Sequence, residues 1–387
     1  MPEQQSTTRK RVLLFHSEIV PYRVPLFERL SGLCNLRVAF CMHRSRVRSW
    51  QVPKPEALRF AAVLLRSTHV GPFTINQGVS RQIAEFSPHC VIVDDDPRLT
   101  LSSLIAVRAA ACSEIPIVIW SESTPNGYFG AVKYLGHRLL GFPRRYCYGR
   151  AHAFIAWGRN SVQWLQECGA GTARIRKVVH PLNSGEFADV SDAARQCARC
   201  DLGVDGKRVV LFVGHLIPRK GALLLARAFL RLKRSDAVLV MLGSGTDERR
   251  IKKLAMEQHN ILLPGFVEGS TKSQWYAAAD LFVLPSIVEP WGRVVGEAMA
   301  AGLPIITTNA VGASELVDGN GELVPPGDEN ALALALGQLL DDRNERLRME
   351  RRSLELAREL AVSRAADEIM RAIELAVSRI GENGHIS

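Results

Sequence analysis

Two glutamates frame the chemically richest stretch of this chain, Glu289-Pro290-Trp291-Gly292-Arg293-Val294-Val295-Gly296-Glu297. A carboxylate accepts hydrogen bonds from hydroxyls, so such a pair suits the vicinal diols of a sugar or a ribose. The plainer alternative, a helix N-terminal charge at Glu289 and a solvent-facing Glu297, stays open on these residues alone. Pro290 and Gly292 suit the start of a helix, whose first N–H groups are free to meet a ligand. Further upstream, Gly214-His215-Leu216-Ile217-Pro218-Arg219-Lys220-Gly221 follows an apolar run. Gly214 lets the backbone approach a ligand closely. Lys220 stands near the start of a helix expected from Ala222, where phosphate is favoured. The spacing is not that of a P-loop. Gly243-Ser244-Gly245 ends a second apolar run, and Pro264-Gly265-Phe266-Val267 a third, where an exposed backbone and an aromatic would meet a flat base.

The first half carries its own candidates: Ser17-Glu18, then Tyr22 and Arg23; Asp94-Asp95-Asp96; and Trp120-Ser121-Glu122-Ser123. Three successive aspartates invite a magnesium site of oxygen ligands, but no nearby His adds a ligand, and no metal is expected. Glu122 suits either a positioned base for a hydroxyl or a loop carboxylate paired with a local arginine. The same two options hold for Glu18.

Short Val/Ile/Leu-rich runs must position these groups. Strands are predicted at Arg11–His16, Leu36–Met42, Arg59–Leu65, Cys90–Asp94, Pro116–Ser121, Ala153–Trp157 and Arg176–His180. They resume at Arg208–Gly214, Ala237–Leu242, Ile261–Phe266, Leu281–Leu284 and Pro304–Thr307. Continuous apolar strands separated by helix-length stretches imply parallel sheets buried on both faces. The alternation stops once, in the polar segment Pro181–Asp205. Two doubly wound α/β domains follow, 1–182 and 207–360, with 183–206 as linker. A helical tail closes the chain, its last part (361–387) expected to pack back on the first domain. Ligands bind at the carboxyl ends of such strands, so the two domains are expected to face a central cleft.

The chain has 387 residues, 47% of them hydrophobic, which excludes intrinsic disorder. Of its 49 Lys+Arg and 39 Asp+Glu, residues 1–180 hold 24 and 11. The positive excess therefore sits in the first half, unlike a protein that coats nucleic acid uniformly. The apolar stretch Val12–Phe15 is too short for a signal-peptide core, and no apolar run is long enough to span a bilayer. Several of the eight cysteines lie in apolar stretches, as reduced cytosolic thiols would. Cys197 and Cys200 form one C-x-x-C without the second pair that zinc requires. An NAD-dependent oxidoreductase would need G-x-G-x-x-G after a first strand, and neither half has it.

The stretch from about Lys207 to Gly327 resembles the nucleotide-binding domain of GT-B-fold glycosyltransferases of family 4, which are retaining enzymes using nucleotide-activated sugars. The resemblance rests on Glu289/Glu297, the following Ala298-Met299-Ala300-Ala301-Gly302-Leu303-Pro304, the loop Gly214–Gly221, and Gly243-Ser244-Gly245, all in order. The opening Ser17–Phe27 and Asn183, in His180-Pro181-Leu182-Asn183, are similar to bacterial members. It implies that Lys220 neutralises the diphosphate leaving group and Glu297 holds the ribose hydroxyls. Glu289 would contact the donor sugar, with the N–H groups of Trp291 and Gly292 beside it, and Phe266 and Val267 would border the base. The family usually has Arg where this chain has His215. Arg is a permanent bidentate cation and His is not, so His215, Arg219 or a weaker diphosphate site must account for the difference.

The resemblance also assigns acceptor binding to the first domain, hence to Glu18, Tyr22, Arg23, Asp95 and Glu122. The D-x-D metal motif belongs to the other main glycosyltransferase fold. Positive charge gathers at Arg44, Arg46 and Arg48 beside Trp50. It gathers again over Lys133–Arg150, where Lys133, Arg138, Arg144, Arg145 and Arg150 mix with Tyr134, Phe142, Tyr146 and Tyr148. Such a mixture suits anionic lipid headgroups, RNA or plain solvent exposure. With the family likeness, a lipid-linked acceptor at the inner face of the cytoplasmic membrane is favoured over nucleic acid. The expected activity is transfer of a sugar from a nucleotide diphosphate sugar, a co-substrate, to a glycan or lipid-linked glycan hydroxyl. A hypothesis of another class is a catalytically weak sugar-nucleotide-binding partner subunit of a polysaccharide assembly complex, motivated by His215.

Overall fold

Along the strand β1 (Arg11–Glu18), successive side chains must face opposite ways. Val12 and Leu14 enter one apolar cluster, and Leu13 and Phe15 another. The strand is thus buried on both faces, as a parallel sheet requires. The computed structural model describes residues 9–42, 55–71, 73–125, 132–182, 187 and 191–383, with the backbone alone at 132–140, 257–258 and 381–383. Asn183, Arg44, Arg46, Arg48 and Trp50 lie outside the described residues, as do the side chains of Lys133, Tyr134 and Arg138.

The chain divides into two compact units, 1–181 with 362–387, and 182–361. In the first, β1 is followed by α1 (Val24–Leu33), β2 (Asn35–Met42), β3 (Ala61–Leu64), β4 (Ser67–Val70) and β5 (Phe73–Asn76). Then come α2 (Val79–Phe86), β6 (Cys90–Asp94), α3 (Thr100–Cys112), β7 (Ile117–Ser121), α4 (Val132–Arg150), β8 (Ala153–Trp157), α5 (Arg159–Glu167) and β9 (Ile175–Val178). Seven parallel strands form the sheet in the order β3-β2-β1-β6-β7-β8-β9, while β4 and β5 pair as a separate antiparallel hairpin. One face is covered by Leu26, Phe27 and Leu30 of α1, the other by Ile83, Val107 and Leu165 from α2, α3 and α5.

The second unit contains α6 (Asp192–Asp201), β10 (Arg208–Val213), α7 (Ala222–Arg231), β11 (Ala237–Leu242), α8 (Glu248–Gln258), β12 (Ile261–Gly265) and α9 (Gly269–Ala278). It continues with β13 (Leu281–Leu284), α10 (Arg293–Ala300), β14 (Ile305–Thr308), β15 (Gly321–Val324), α11 (Glu329–Asp341) and α12 (Arg343–Ala357). Its six parallel strands run β12-β11-β10-β13-β14-β15. The last helix, α13 (Val362–Asn383), belongs to the first unit. There Ala365, Ala366, Ala372 and Ala376 permit close approach, and Ile369 and Ile373 fill the space against the sheet. Each sheet reverses its strand order once, between β1 and β6 and between β10 and β13. Ligands of open α/β sheets bind at that crevice, outside the carboxyl ends.

The expected linker at 183–206 needs correction. It includes α6, whose Ser191 Oγ accepts from the Ala194 N–H at 3.2 Å as an N-cap. Arg199 pairs with Asp280 at 2.5 Å and Arg195 with Glu350 at 3.3 Å, tying α6 into the second unit. Its sequence is too polar to show a long apolar face, because ion pairs hold much of it. Cys197 and Cys200 are exposed on this helix, and both are free thiols.

Candidate functional site

At the β10/β13 reversal, two turns meet on one carboxylate. The loop after β10 runs through a single 3₁₀ turn, Pro218–Lys220, and ends at Gly221 with φ +68°. A side chain at Gly221 would collide with the Pro285 carbonyl oxygen, 2.2 Å from its Cβ. Glycine therefore lets this loop press against the segment that follows β13. That contact brings Arg219 and Lys220 to Glu289: Arg219 Nη1 lies 3.1 Å from Oε2, and the Lys220 ammonium pairs with the same oxygen. Arg219 also donates to the Val288 carbonyl at 2.8 Å.

The Glu289 turn is braced from the opposite side. The Gly312 N–H donates to the Glu289 carbonyl at 2.9 Å and Ala313 to that of Trp291 at 2.7 Å. Any Cβ at Gly312 would stand 2.0 Å from the Pro290 oxygen. Trp291 is buried. Gly292, in the left-handed region at φ +90°, is the residue from which α10 starts. The result is a buried carboxylate, two cations and a helix N-terminus in one place. Positive side chains and the positive end of a helix converge there, the combination that binds phosphate.

Glu297 lies one turn into α10 and is also buried, but it does not share these partners. The Lys272 ammonium is 2.6 Å from its Oε2, and the Tyr276 hydroxyl donates to the same oxygen at 2.9 Å. Burial and the neighbouring carboxylate raise the Tyr276 phenol well above its usual value, keeping it a donor. Sequence reasoning missed both residues. Their spacing of four, one helical face, was the available signal.

The remaining predicted donor residues sit at the ends of adjoining strands. Gly243 follows β11 and packs so tightly that an added Cβ would lie 2.0 Å from the Gly214 oxygen. Phe266 follows β12 and is 56% exposed, with Val267 half-buried beside it. His215 is exposed and takes no part in the Glu289 cluster. The cations there are Arg219 and Lys220.

The first unit gathers a second polar cluster at its own reversal. Arg23 is buried, with its guanidinium 5.1 and 5.2 Å from the ring centroids of Trp120 and Trp157 and 5.8 Å from that of Tyr22. It pairs with Glu122 Oε1, which also accepts from the Trp120 indole N–H at 3.1 Å. His16 sits at 2.9 Å from Asp94 and 3.4 Å from Arg23. His16, Trp157 and His180, whose ring lies tilted with its centroid 4.7 Å from that of Trp157, were not anticipated as site residues. Glu18 is buried at the end of β1. Asp95 accepts from Tyr148 at 2.6 Å and Ser121 at 2.7 Å, and burial pushes its carboxyl up to about 6. Each aspartate of the triplet is thus engaged: Asp94 with His16 and the Ser17 N–H, Asp95 with hydroxyls, Asp96 with Arg98. Among the described residues no cluster suits a metal ion.

Glu122 is paired with a local arginine, one of the two options its sequence left open. Desolvation would raise its pKa, but Arg23, His180 and the Trp120 N–H outweigh it and hold the carboxyl down to about 2. It remains 41% exposed, and so presents a charged acceptor to solvent. A folded-state pKa below the ordinary 4.5 means that its stabilising contribution is full above about pH 5 and disappears as pH falls toward 2. Glu122→Gln is expected to melt about 2–4 °C below the parent at pH 7, a modest gap because solvent screens the pair. That gap should close on titration to pH 2; a gap constant with pH would contradict the assignment.

Residues 199–355 match the family described as glycosyl transferases group 1. An uncharacterized glycosyltransferase of Methanocaldococcus jannaschii is 33% identical over 177 residues, 44% of this chain and 45% of that one. The lipopolysaccharide core biosynthesis glycosyltransferase LpsE of Rhizobium meliloti is 30% identical over 240 residues, 61% of this chain and 67% of that protein. The chain spans less than half the length of the first curated relatives it matches. Among solved structures, Anabaena HepE in complex with UDP aligns with a TM-score of 0.76 at 18% identity, over 94% of this chain and 99% of that one. At such identity the likeness establishes the fold alone, which is GT-B. With two thirds of the Rhizobium relative matched, the chain belongs to the group 1 glycosyl transferases.

Proposed function

We propose that this chain is a retaining glycosyltransferase that moves a sugar from a nucleotide diphosphate sugar to a hydroxyl of a glycan or lipid-linked glycan. The observation that carries this is the meeting of Arg219, Lys220 and Glu289 at the start of α10. A diphosphate seated there would draw Lys220 and Arg219 from Glu289 and lie against the helix N–H groups. This fixed positive charge would stabilise the departing diphosphate. Released from its cations, Glu289 would accept from the sugar hydroxyls. Glu297 would hold the ribose, and Phe266 with Val267 would border the base. In the transfer itself the anomeric carbon–phosphate oxygen bond breaks and the acceptor oxygen bonds the same carbon from the same face. The acceptor proton passes to the departing phosphate oxygen, so no protein nucleophile is needed. The acceptor is assigned to Glu18, Tyr22, Arg23, Asp95 and Glu122 of the first unit.

The role of the cations is filled by side chains, so activity is expected to survive EDTA. HepE was crystallised with UDP and UDP-glucose, which supports a nucleotide sugar as the co-substrate of this chain. The name of the Rhizobium relative supports a lipid-linked acceptor. By sequence the first unit holds 27 Lys+Arg against 15 Asp+Glu, the second 22 against 24. Phe142 on α4 is 79% exposed beside Arg144 and Arg145. This surface suits peripheral contact with anionic lipid at the cytoplasmic face of the inner membrane; no helix among the described residues is long and apolar enough to cross a membrane. A thermal-shift panel of UDP, GDP, ADP and their sugars tests the donor assignment. One base series should raise the melting temperature, and a flat panel would contradict it. Salt-sensitive binding to anionic but not neutral vesicles is the corresponding test for the membrane.

A further inference from the structure

Glu297 is constrained far more than a hydroxyl-binding carboxylate needs to be. Lys272 and Tyr276 lie one turn apart on α9 and both reach Oε2. The lysine is itself held. Its ammonium lies 5.7 Å from the centre of the Phe187 ring and 5.9 Å from that of Tyr276, within cation–π range. Phe187 meets Tyr276 edge-on at 5.2 Å. Tyr276 is fully buried and packs on Phe282 of β13. A carboxylate on a free side chain would rotate. Two donors on one oxygen prevent that, and they leave the second oxygen with its acceptor capacity intact.

We propose that Lys272 and Tyr276 are positioning residues which, by occupying Oε2 of Glu297, aim Oε1 at a ribose hydroxyl of the bound nucleotide. This rests on the nucleotide-sugar assignment above. Neither residue need touch the nucleotide; each acts through Glu297. Lys272 is 22% exposed on its side chain and is replaceable with little damage to the core, and Tyr276→Phe removes only the hydroxyl.

The test uses the full chain. Binding is measured by calorimetry for whichever of UDP, GDP and ADP shifts the melting temperature, and for its 2′,3′-dideoxy analogue, with apo melting temperatures as a folding check. Lys272→Met is expected to weaken the natural diphosphate about tenfold and Tyr276→Phe about threefold, the range for hydrogen bonds to a charged group. Against the dideoxy analogue both losses should shrink below about twofold, since no hydroxyl remains for Glu297 to hold. Lys272→Arg should recover most of the affinity. Equal losses with both ligands would overturn the proposal, because a general disturbance of the fold does not distinguish them. So would an unaffected Lys272→Met alongside a Glu297→Ala that binds the natural diphosphate at least tenfold more weakly. If Glu297→Ala loses nothing, or none of the three diphosphates binds, the nucleotide assignment itself fails.

Discussion

Lys220→Ala is expected to lower sugar transfer by about 10²–10³-fold, the cost typical of removing one preorganised donor to a developing anion. Lys220 is nearly buried and reaches the Glu289 carboxylate from a loop fixed by Gly221. That rigidity means that its charge need not be reorganised when the diphosphate departs. Nucleotide diphosphate binding should weaken by about tenfold only, because Arg219 stays beside the same carboxylate and the helix N–H groups remain. The difference between the two losses is the diagnostic. An effect confined to the transition state lowers kcat together with kcat/KM, whereas uniform binding changes KM alone. Steady-state kinetics of the variant decide it, with circular dichroism as a check on folding. Removal of one partner of a buried pair also carries a stability cost of about 3–5 kcal/mol at most.

Glu289→Gln should move two quantities in opposite directions. In the unliganded site Glu289 occupies both cations that a diphosphate would need. Neutralising it removes a competing anion at contact distance, and diphosphate binding is expected to tighten about fivefold, a small fraction of the gross Coulomb energy. Sugar transfer should nonetheless fall about 10–100-fold, because an amide accepts weaker hydrogen bonds from the sugar than a carboxylate does. Calorimetry with the diphosphate and a transfer assay on one preparation measure both. Loss of binding and transfer together would show that Glu289 supports the local structure rather than competing with phosphate.

Much of the framework was legible because it depends on patterns that burial enforces. Continuous apolar runs such as Cys90–Asp94 and Ala237–Leu242 can only be strands covered on both faces, and both lie at the predicted residues. The strand β15 and the hairpin β4–β5 escaped notice for the converse reason. Gly321–Val324 and Ser67–Val70 are short and largely exposed, and nothing in their composition separates them from loop. The helix α6 was hidden likewise, since Arg195 and Arg199 anchor it by charge.

At the site, Glu289, Lys220, Glu297 and Glu122 were singled out by type and spacing, but their partners were not. That Lys220 and Arg219 converge on Glu289 while Lys272 and Tyr276 converge on Glu297 depends on contacts between segments distant in sequence. Residue type cannot supply such a pairing. By its type Glu122 suited either a base or a partner for a local arginine, and only the fold shows the buried Arg23 beside it.

The most direct test is a crystal structure of the chain with the sugar nucleotide that the binding panel selects. The diphosphate should lie within hydrogen-bond reach of Lys220 and of the first N–H groups of α10, with the Lys220–Glu289 pair opened and the ribose at Glu297. A diphosphate bound elsewhere, with Lys220 and Arg219 still closed on Glu289, would contradict the account.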